Sequence, residues 1–257
     1  MSVFDCAVVT VLLAASSPSQ PPPVSLSTNA VAAKEDMSRF AAEPHTLDLR
    51  SSNLVKIPDE ILSLTNLQAL ALDHNPLQTL PAGITNLISL QALTLDDIQL
   101  SAIPPEIGAL TNLQSLSICE NQLNTLPPAL AALVNLRILH LTQNMLTTLP
   151  RDFPGLPAIE LLDLGSNQIG TIPDWLGSCT HIKVLALDNN RLTTLPTSLS
   201  NLTCLEDLDL SYNQITKLPR ELHSLKSLKL LQITGNPIPE TEEMKIRHML
   251  PDCMVVR

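Results

Sequence analysis

Residues 205–227 read LEDLDLSYNQITKLPRELHSLKS, a 23-residue pattern that recurs along the chain. Apolar residues occupy positions 1, 4, 6, 11, 14, 18 and 21 of the unit, with asparagine at position 9 and proline at position 15. Eight further copies follow the same spacing without insertion; they start at Pro44, Leu67, Leu90, Leu113, Leu136, Ile159, Ile182 and Leu228. The chain between residues 44 and 238 is therefore a nine-fold internal repeat.

The spacing within one unit predicts a strand followed by a turn. Apolar positions 4 and 6 alternate with polar positions, which is typical of a short β-strand with one buried face. Such a strand cannot bury its leucines alone, so nine of them must stack in parallel, about 4.8 Å apart. The fixed φ of the proline at position 15 suits the start of a short helical or 3-10 turn on the opposite side. We therefore predict an α/β solenoid.

An asparagine recurs at position 9, where the chain leaves the strand. Its amide can donate to and accept from backbone groups of adjacent coils that burial would otherwise leave unpaired. We interpret the seven copies as structural: Asn75, Asn121, Asn144, Asn167, Asn190, Asn213 and Asn236. Ile98 interrupts this series in the third repeat, so we expect that coil to be locally looser.

The LxLxxNxLxxLPxxLxxL pattern resembles the leucine-rich repeat family, and is similar to intracellular Ras-pathway scaffolds and to bacterial leucine-rich repeat proteins. The resemblance covers residues 44–238. It implies a horseshoe whose concave strand face most often binds another protein. We call the sheet face that carries positions 2, 3, 5, 7 and 8 the concave face.

Composition limits the kind of partner. The 257 residues carry a net charge of −10, which argues against nucleic acid because neutralising phosphates takes a surplus of Lys and Arg. The sequence contains no run of eighteen apolar residues, so it does not predict a membrane-spanning helix. Acidic residues are concentrated on the concave face, at Asp48, Asp73, Asp96, Asp97, Glu120, Glu160, Asp163, Asp188, Glu206, Asp207 and Asp209. We expect a monomer that binds a protein with a basic surface.

Two binding sites are predicted on that face. The first is centred on Tyr212, the only aromatic residue there, with Asn189 beside it and with Asp188, Asp207 and Asp209 receiving Arg or Lys from the partner. The second, the alternative, is an acidic patch in repeats 2 to 4. It consists of Asp73, His74, Asp96, Asp97 and Glu120.

Catalytic interpretations find little support in the sequence. The chain has no GxxxxGKS loop, kinase signature or HExxH motif. Cys119 and His140 lie on adjacent strands but are offset, and the sequence suggests no third group to orient the histidine. His74, Asp97 and Glu120 have ligand types for a divalent cation, although a solvated acidic face is the simpler interpretation. We expect a non-catalytic binding scaffold, with no cofactor, that could act in intracellular signal transduction.

The ends of the chain bear on its compartment. Residues 1–28 read as a disordered or weakly signal-like segment with a Pro/Ser linker, and residues 29–43 as a capping helix. Residues 239–257 read as a helical cap over the last coil. Five scattered cysteines favour a reducing compartment, so we expect a cytoplasmic protein. The alternative is a secreted or host-directed effector or receptor-like module, if residues 1–15 act as a signal peptide.

Overall fold

A single parallel sheet runs along the described part of the chain. The computed structural model describes the backbone of Val24–Ser25 and residues 46–257; the predictions for residues 1–28 and 29–43 otherwise lie outside these residues. Within them, eleven strands follow one another in chain order. They are β1 Val24–Ser25, β2 Thr46–Asp48, β3 Ala69–Ala71, β4 Ala92–Thr94, β5 Ser115–Ser117, β6 Ile138–His140, β7 Leu161–Asp163, β8 Val184–Ala186, β9 Asp207–Asp209, β10 Leu230–Gln232 and β11 Met254–Val256. The predicted solenoid is confirmed.

Equivalent residues of adjacent coils pair in the sheet, and this register builds the core. Leu70 pairs with Leu93, and Leu93 with Leu116. Nearly all the apolar positions of the repeat are buried and form one continuous cluster. The exceptions are Leu54 and Leu64 of the first repeat, which are only partly buried. Each coil therefore packs its leucines only against its two neighbours, as a solenoid requires.

Short helical segments form the outer side of the solenoid. Among the described residues, the first of these segments is α1, Asp59–Leu62. Six 3-10 helices follow, at Ala82–Asn86, Pro105–Ala109, Pro128–Ala132, Asp174–Ser178, Thr197–Asn201 and Arg220–Ser224. The proline at position 15 precedes each of these segments with an extended ψ near 150° instead of being its first helical residue (Pro173 has φ −76° and ψ 155°). The proline is thus the extended residue immediately before the helical segment, and it directs the chain into that segment.

The fifth coil departs from this pattern. No helical segment follows Pro150, and Phe153 turns into the core, where it is 4% exposed. Its ring packs on Trp175 of the next coil at a centroid distance of 4.9 Å. The indole Nε1 of Trp175 donates to the carbonyl of Pro150 at 2.7 Å. Trp175 is therefore a packing residue that covers the irregular turn.

The asparagine series joins the coils, as the sequence predicts. In coil 6, Nδ2 of Asn167 donates to the carbonyls of Leu141, Leu164 and Gly165, and its Oδ1 accepts from the N–H of Leu146. Four backbone groups on two coils are thus paired by one buried side chain. Ile98, which replaces the asparagine in coil 3, is fully buried instead.

The chain closes with a helix and one further strand. Helix α2, Glu240–Met249, has acidic residues in its first turn and Arg247 and His248 in its last, which complements the helix dipole. Strand β11 then pairs with β10 and extends the sheet, a strand that the repeat pattern does not predict. The Arg247 side chain donates to the carbonyl of Val255 at 3.0 Å, so the helix covers part of this edge strand.

Candidate functional site: the concave face

Five columns of side chains, at repeat positions 2, 3, 5, 7 and 8, line the concave face because each strand places the same positions in register. Positions 3 and 5 alternate with the buried positions 4 and 6, and positions 7 and 8 follow where the strand ends. On β9, for example, Asp207 and Asp209 flank the buried Leu208, and Ser211 and Tyr212 follow. Residues 23 apart in the sequence are therefore neighbours on this surface.

Position 8 has a backbone conformation that the residue pattern does not predict. Its residue has a positive φ in all nine coils: Ser51, His74, Asp97, Glu120, Gln143, Ser166, Asn189, Tyr212 and Gly235. In the first eight of these coils, its N–H donates to the position-7 carbonyl of the next coil, as in the bond from Asn189 to Ser211 at 2.8 Å. This bond extends the sheet beyond the strand end, which offsets a cost of roughly 1 kcal/mol for the left-handed region. It also turns the position-8 side chain outward.

Position 2 forms one rim of the concave face, and its charges alternate from coil 5 to coil 9. Glu160 lies 2.7 Å from Lys183 and 3.3 Å from Arg137, and Glu206 pairs with Lys229. The Lys183 hydrogen bond lowers the pKa of Glu160. Asp48 is likewise paired with Arg50 in the first coil, at 2.6 Å. Three of the acids expected to make the face negative are therefore neutralised within the protein.

The remaining acids lie at positions 3, 5, 7 and 8, and none of the described Lys or Arg side chains pairs with them. They are Asp73, Asp96, Asp97, Glu120, Asp163, Asp188, Asp207 and Asp209. Among the described histidines, His74 approaches Asp97 and His140 approaches Asp163. The negative charge of the concave face thus lies along its middle and its position-8 side, away from the position-2 rim.

The structure divides the first predicted site into two parts. Tyr212 is 58% exposed, and its ring lies against Gly235 of the next coil. The side chain of Asn189 donates to Asp188 Oδ2 at 2.7 Å. Asp209 accepts from the N–H of Ser211 and from the side chain of Gln232. The predicted residues are neighbours, but the aromatic ring leans away from the carboxylates towards coil 9.

The carboxylates of this site are more buried than the sequence suggests. Asp188 is 4% exposed, with the Asn189 side chain bonded to it, and Asp209 is 8% exposed, with the Gln232 side chain of the next coil bonded to it. Burial raises the pKa of Asp188, and repulsion from Asp209 and Asp163 adds to the effect. Burial and then repulsion from Asp209 likewise raise the pKa of Asp207. These groups therefore form the bottom of the face, with Tyr212 and Asn189 standing above them.

The second predicted site has two layers. In the lower layer, Asp73 accepts from Thr94 Oγ1 and from the N–H of Asp96, at 2.8 and 2.9 Å. Asp96 Oδ1 accepts from Ser117 Oγ at 2.7 Å and from the N–H of Cys119 at 2.6 Å. Burial raises the pKa of Asp96 to about 6, and the nearby Asp73 contributes. Burial raises the pKa of Asp73 as well.

Its upper layer is exposed and consists of position-8 side chains. His74 Nδ1 lies 3.2 Å from Asp97 Oδ2, with both side chains more than half exposed. Glu120, on the next coil, is also exposed. Within the described part of the chain, no three His, Cys, Asp or Glu side chains form a group that could hold a metal ion. These residues therefore form a solvated charged edge.

His140 has an acidic neighbour that sequence reasoning missed. Its Nδ1 lies 3.5 Å from Asp163 Oδ2 on the adjacent strand, and both side chains are buried. Neither atom makes a hydrogen bond. The missed signal is that both residues occupy position 5 of consecutive repeats, which places them side by side in the sheet. Cys119 instead has its sulfur 3.5 Å from Ser117 Oγ.

Comparisons with known proteins agree with this architecture. The family profile described as Leucine rich repeat matches residues 45–100, 111–169 and 173–238, well over half of the chain. No curated protein matches the sequence significantly. No helix among the described residues has the length and apolar character needed to cross a bilayer.

Solved structures of the same architecture come from bacteria and animals. A leucine-rich repeat protein of Leptospira interrogans is 22% identical with a TM-score of 0.51; the match covers 93% of this chain and all of that one. An internalin from Listeria monocytogenes is 23% identical with a TM-score of 0.72 over 86% of this chain and 63% of its own. A chain of the Drosophila Toll–Spätzle complex is 26% identical with a TM-score of 0.70; the match covers 78% of this chain but only 28% of that one.

Proposed function

Because the chain belongs to the leucine-rich repeat family, whose members are typically non-catalytic protein-interaction modules, we propose that it binds a partner protein with a basic surface on its concave face. The partner meets the face at positions 5, 7 and 8. In this proposal the protein is a scaffold without catalytic activity of its own, acting as a monomer.

One observation carries the proposal. The acidic side chains of the position-2 rim form ion pairs with Lys side chains, whereas those in the middle of the face have no Lys or Arg partner among the described residues. Glu160 and Glu206 are paired with lysines of adjacent coils. Asp188 and Asp209, which lie deeper, have only neutral hydrogen-bond donors among the described residues. A buried carboxylate without a cation is costly, so a basic side chain from outside is the group that this surface favours.

Tyr212 makes the C-terminal half of the face the preferred contact. An exposed tyrosine offers a large apolar area and a polar tip, a combination common in binding hot spots. It stands beside Asn189 at the same repeat position, and both side chains are directed outward. The acidic patch of repeats 2 to 4 remains the second candidate, since Asp97 and Glu120 are exposed there but no aromatic residue accompanies them.

A photo-crosslinker in place of Tyr212 tests the proposal. p-Benzoylphenylalanine at residue 212 keeps an aromatic ring at the contact, and the same group at Glu221, on the outer 3-10 helix, is the matched control. In extract from the native source, we expect residue 212 to capture a basic protein that residue 221 does not. Capture should weaken in 0.5 M salt and in Asp188→Asn, because both changes reduce the electrostatic attraction. Equal capture from both positions would refute a concave contact.

The compartment is a separate proposal. We propose a reducing, cytoplasmic location, which places the protein in intracellular signalling, because none of the four described cysteines forms a disulfide and Cys119 and Cys179 are buried in the repeats. The alternative is a secreted or host-directed module. Sequencing the N-terminus of the mature protein separates the two, since loss of the first residues up to about position 15 would mark a cleaved signal.

A further inference from the structure

The position-3 column of the concave face changes its chemistry at the fifth coil. In the first four coils its side chains are short: Thr46, Ala69, Ala92 and Ser115. From strand β6 to strand β11 they are long and aliphatic with one exception, in the order Ile138, Leu161, Val184, Asp207, Leu230 and Met254. These six residues are paired in register, so they are consecutive neighbours on one surface. We call them the aliphatic column.

The aliphatic column faces solvent. Met254 is 67% exposed, and Ile138, Leu161, Val184 and Leu230 are half-buried. A single exposed apolar residue is common on protein surfaces, but a row of adjacent ones on the solvent face of a sheet indicates a contact surface. Six strands about 4.8 Å apart make the column about 24 Å long, enough for about four turns of an α-helix.

Asp207 is the one charged residue in the column, and its carboxylate has no cation. Its neighbours in register are Val184 and Leu230, so apolar side chains flank it on both sides. Its Oδ1 is buried and accepts no hydrogen bond. Among the described residues, the lysines of the position-2 rim pair with glutamates of that rim instead. Asp207 as a whole is only half-buried, so a positive group of a partner can reach it.

We propose that the aliphatic column binds an amphipathic helix of the partner, with apolar side chains of the helix on Ile138, Leu161 and Val184 and a Lys or Arg on Asp207. The helix lies along the column, across the strands. This inference rests on the proposed function. It adds position 3 to the contact and names the element through which the basic partner binds.

The spacing of the column fits a helix better than an extended segment. Successive strands place their side chains about 4.8 Å apart. Residues i, i+3, i+7 and i+10 of a helix share one side and lie at about 0, 4.5, 10.5 and 15 Å along its axis, within about 1 Å of successive strands. In an extended segment, side chains on one face recur about every 6.7 Å and fall out of step at once. A helix also pairs its own backbone groups, which a segment crossing the strands could not pair with the sheet.

A helical probe peptide tests this fit. The probe is a lactam-bridged, fluorescein-labelled peptide with Leu at i, i+3 and i+7 and Arg at i+10 on an alanine and glutamine background, and its control has the same residues in scrambled order. Fluorescence anisotropy with the full-length protein measures the affinity, and two-dimensional amide NMR locates the site. We expect saturable binding about tenfold tighter than that of the scrambled peptide, with shifts centred on Leu161, Val184 and Asp207. Equal affinities, or no saturation up to about 1 mM peptide, would overturn the inference.

Leu161→Ser tests the apolar part of the contact. Serine occupies the same position in coil 4, at Ser115, so the repeat accepts it there. We expect the probe peptide to bind about tenfold more weakly, with a circular dichroism spectrum like that of the wild type. Ala69→Ser, in the same position of coil 2 but outside the aliphatic column, should bind the peptide as the wild type does. Unchanged affinity in Leu161→Ser, or an equal loss in Ala69→Ser, would contradict the inference.

Asp207→Asn tests the charged part. Replacing the peptide's arginine by citrulline keeps the shape and removes the charge, and should weaken binding to the wild type about tenfold. In Asp207→Asn the two peptides should bind equally. Asp97→Asn, which removes an exposed acid of the second predicted site, should keep the preference for arginine. A preference that survives Asp207→Asn would show that the cation lies elsewhere and would overturn the inference.

The crosslinking experiment separates this inference from the function on which it rests. If residue 212 captures a basic partner and Leu161→Ser does not reduce that capture, the concave contact stands and the aliphatic column is not part of it. If residue 212 captures no partner, the proposed function fails, whereas the probe peptide still shows whether the column binds a helix.

Discussion

The ring of Tyr212 lies against Gly235, so closely that a Cβ on the glycine would come within 2.6 Å of Cδ1. Gly235 also has a φ of +71°, which disfavours any L side chain. We therefore expect Gly235→Ala to displace the tyrosine ring, to destabilise the protein by about 1 kcal/mol, and to weaken partner binding several-fold. Urea unfolding and partner titration measure the two effects.

Gly170→Ala is the control for that change, because a Cβ there meets nothing within 4 Å and its φ is not positive. It should leave both stability and binding unchanged. Weaker binding in both glycine variants would mean that the position of Tyr212 is not the cause.

Asp96→Asn should stabilise the protein at neutral pH. The pKa of Asp96 is raised from 3.8 to about 6, so the folded state holds its proton more strongly, and stability falls as pH rises through that range. Asparagine keeps the acceptor oxygen for Ser117 and Cys119 but carries no charge. We expect a gain of about 1–3 kcal/mol at pH 8 that disappears below about pH 4. Urea unfolding at pH 8, 5 and 3.5 checks it; a gain independent of pH would contradict this explanation.

Asn167→Ala should reduce the free energy of unfolding more than the loss of one small side chain would suggest. The substitution leaves the buried N–H of Leu146 without an acceptor and removes one of the two hydrogen bonds at each of the carbonyls of Leu141, Leu164 and Gly165. We expect the free energy of unfolding to fall by roughly 2–4 kcal/mol. Asn135→Ala, an exposed asparagine with one bond to the Thr111 carbonyl, should cost under about 1 kcal/mol. Similar losses in the two variants would show that the position-9 network is not special.

The Leu77 amide should exchange with solvent faster than its counterparts in other coils. At position 11, Leu100 and Leu123 donate to the side chain of an asparagine on the next coil, but Ile98 cannot accept such a bond. The N–H of Leu77 instead bonds to Asn75 within its own turn. That turn can open without separating two coils, so we expect exchange about tenfold faster than at Leu100. Equal exchange rates at Leu77 and Leu100 would contradict the prediction that coil 3 is locally looser.

The fold could be predicted from the sequence because its core repeats one small packing solution. Each leucine of the lattice has the same neighbours in the coils before and after it, so the spacing in residues 205–227 already defines the contacts. The strand β11 and the missing turn of coil 5 could not be predicted in this way. They depend on contacts made once, such as those of Phe153 with Trp175.

The candidate site was predictable in its residue types but not in its electrostatics. Their repeat positions place both Glu160 and Asp188 on the concave face, so the sequence predicts that both carboxylates are available to a partner. Only in the folded structure does Glu160 reach Lys183 on the next coil, whereas Asp188 folds over Gly165. Side-chain direction and burial decide which acids remain available for a partner, and both depend on residues one coil away.

The left-handed backbone at position 8 limits how this surface can change. Branching at Cβ is strongly disfavoured at positive φ, and none of the nine residues in that column is Val, Ile or Thr. Charge, length and aromaticity vary freely from Ser51 to Tyr212. A binding-site library on this scaffold can therefore diversify position 8 widely, provided that β-branched residues are left out and glycine or asparagine is kept where no contact is needed.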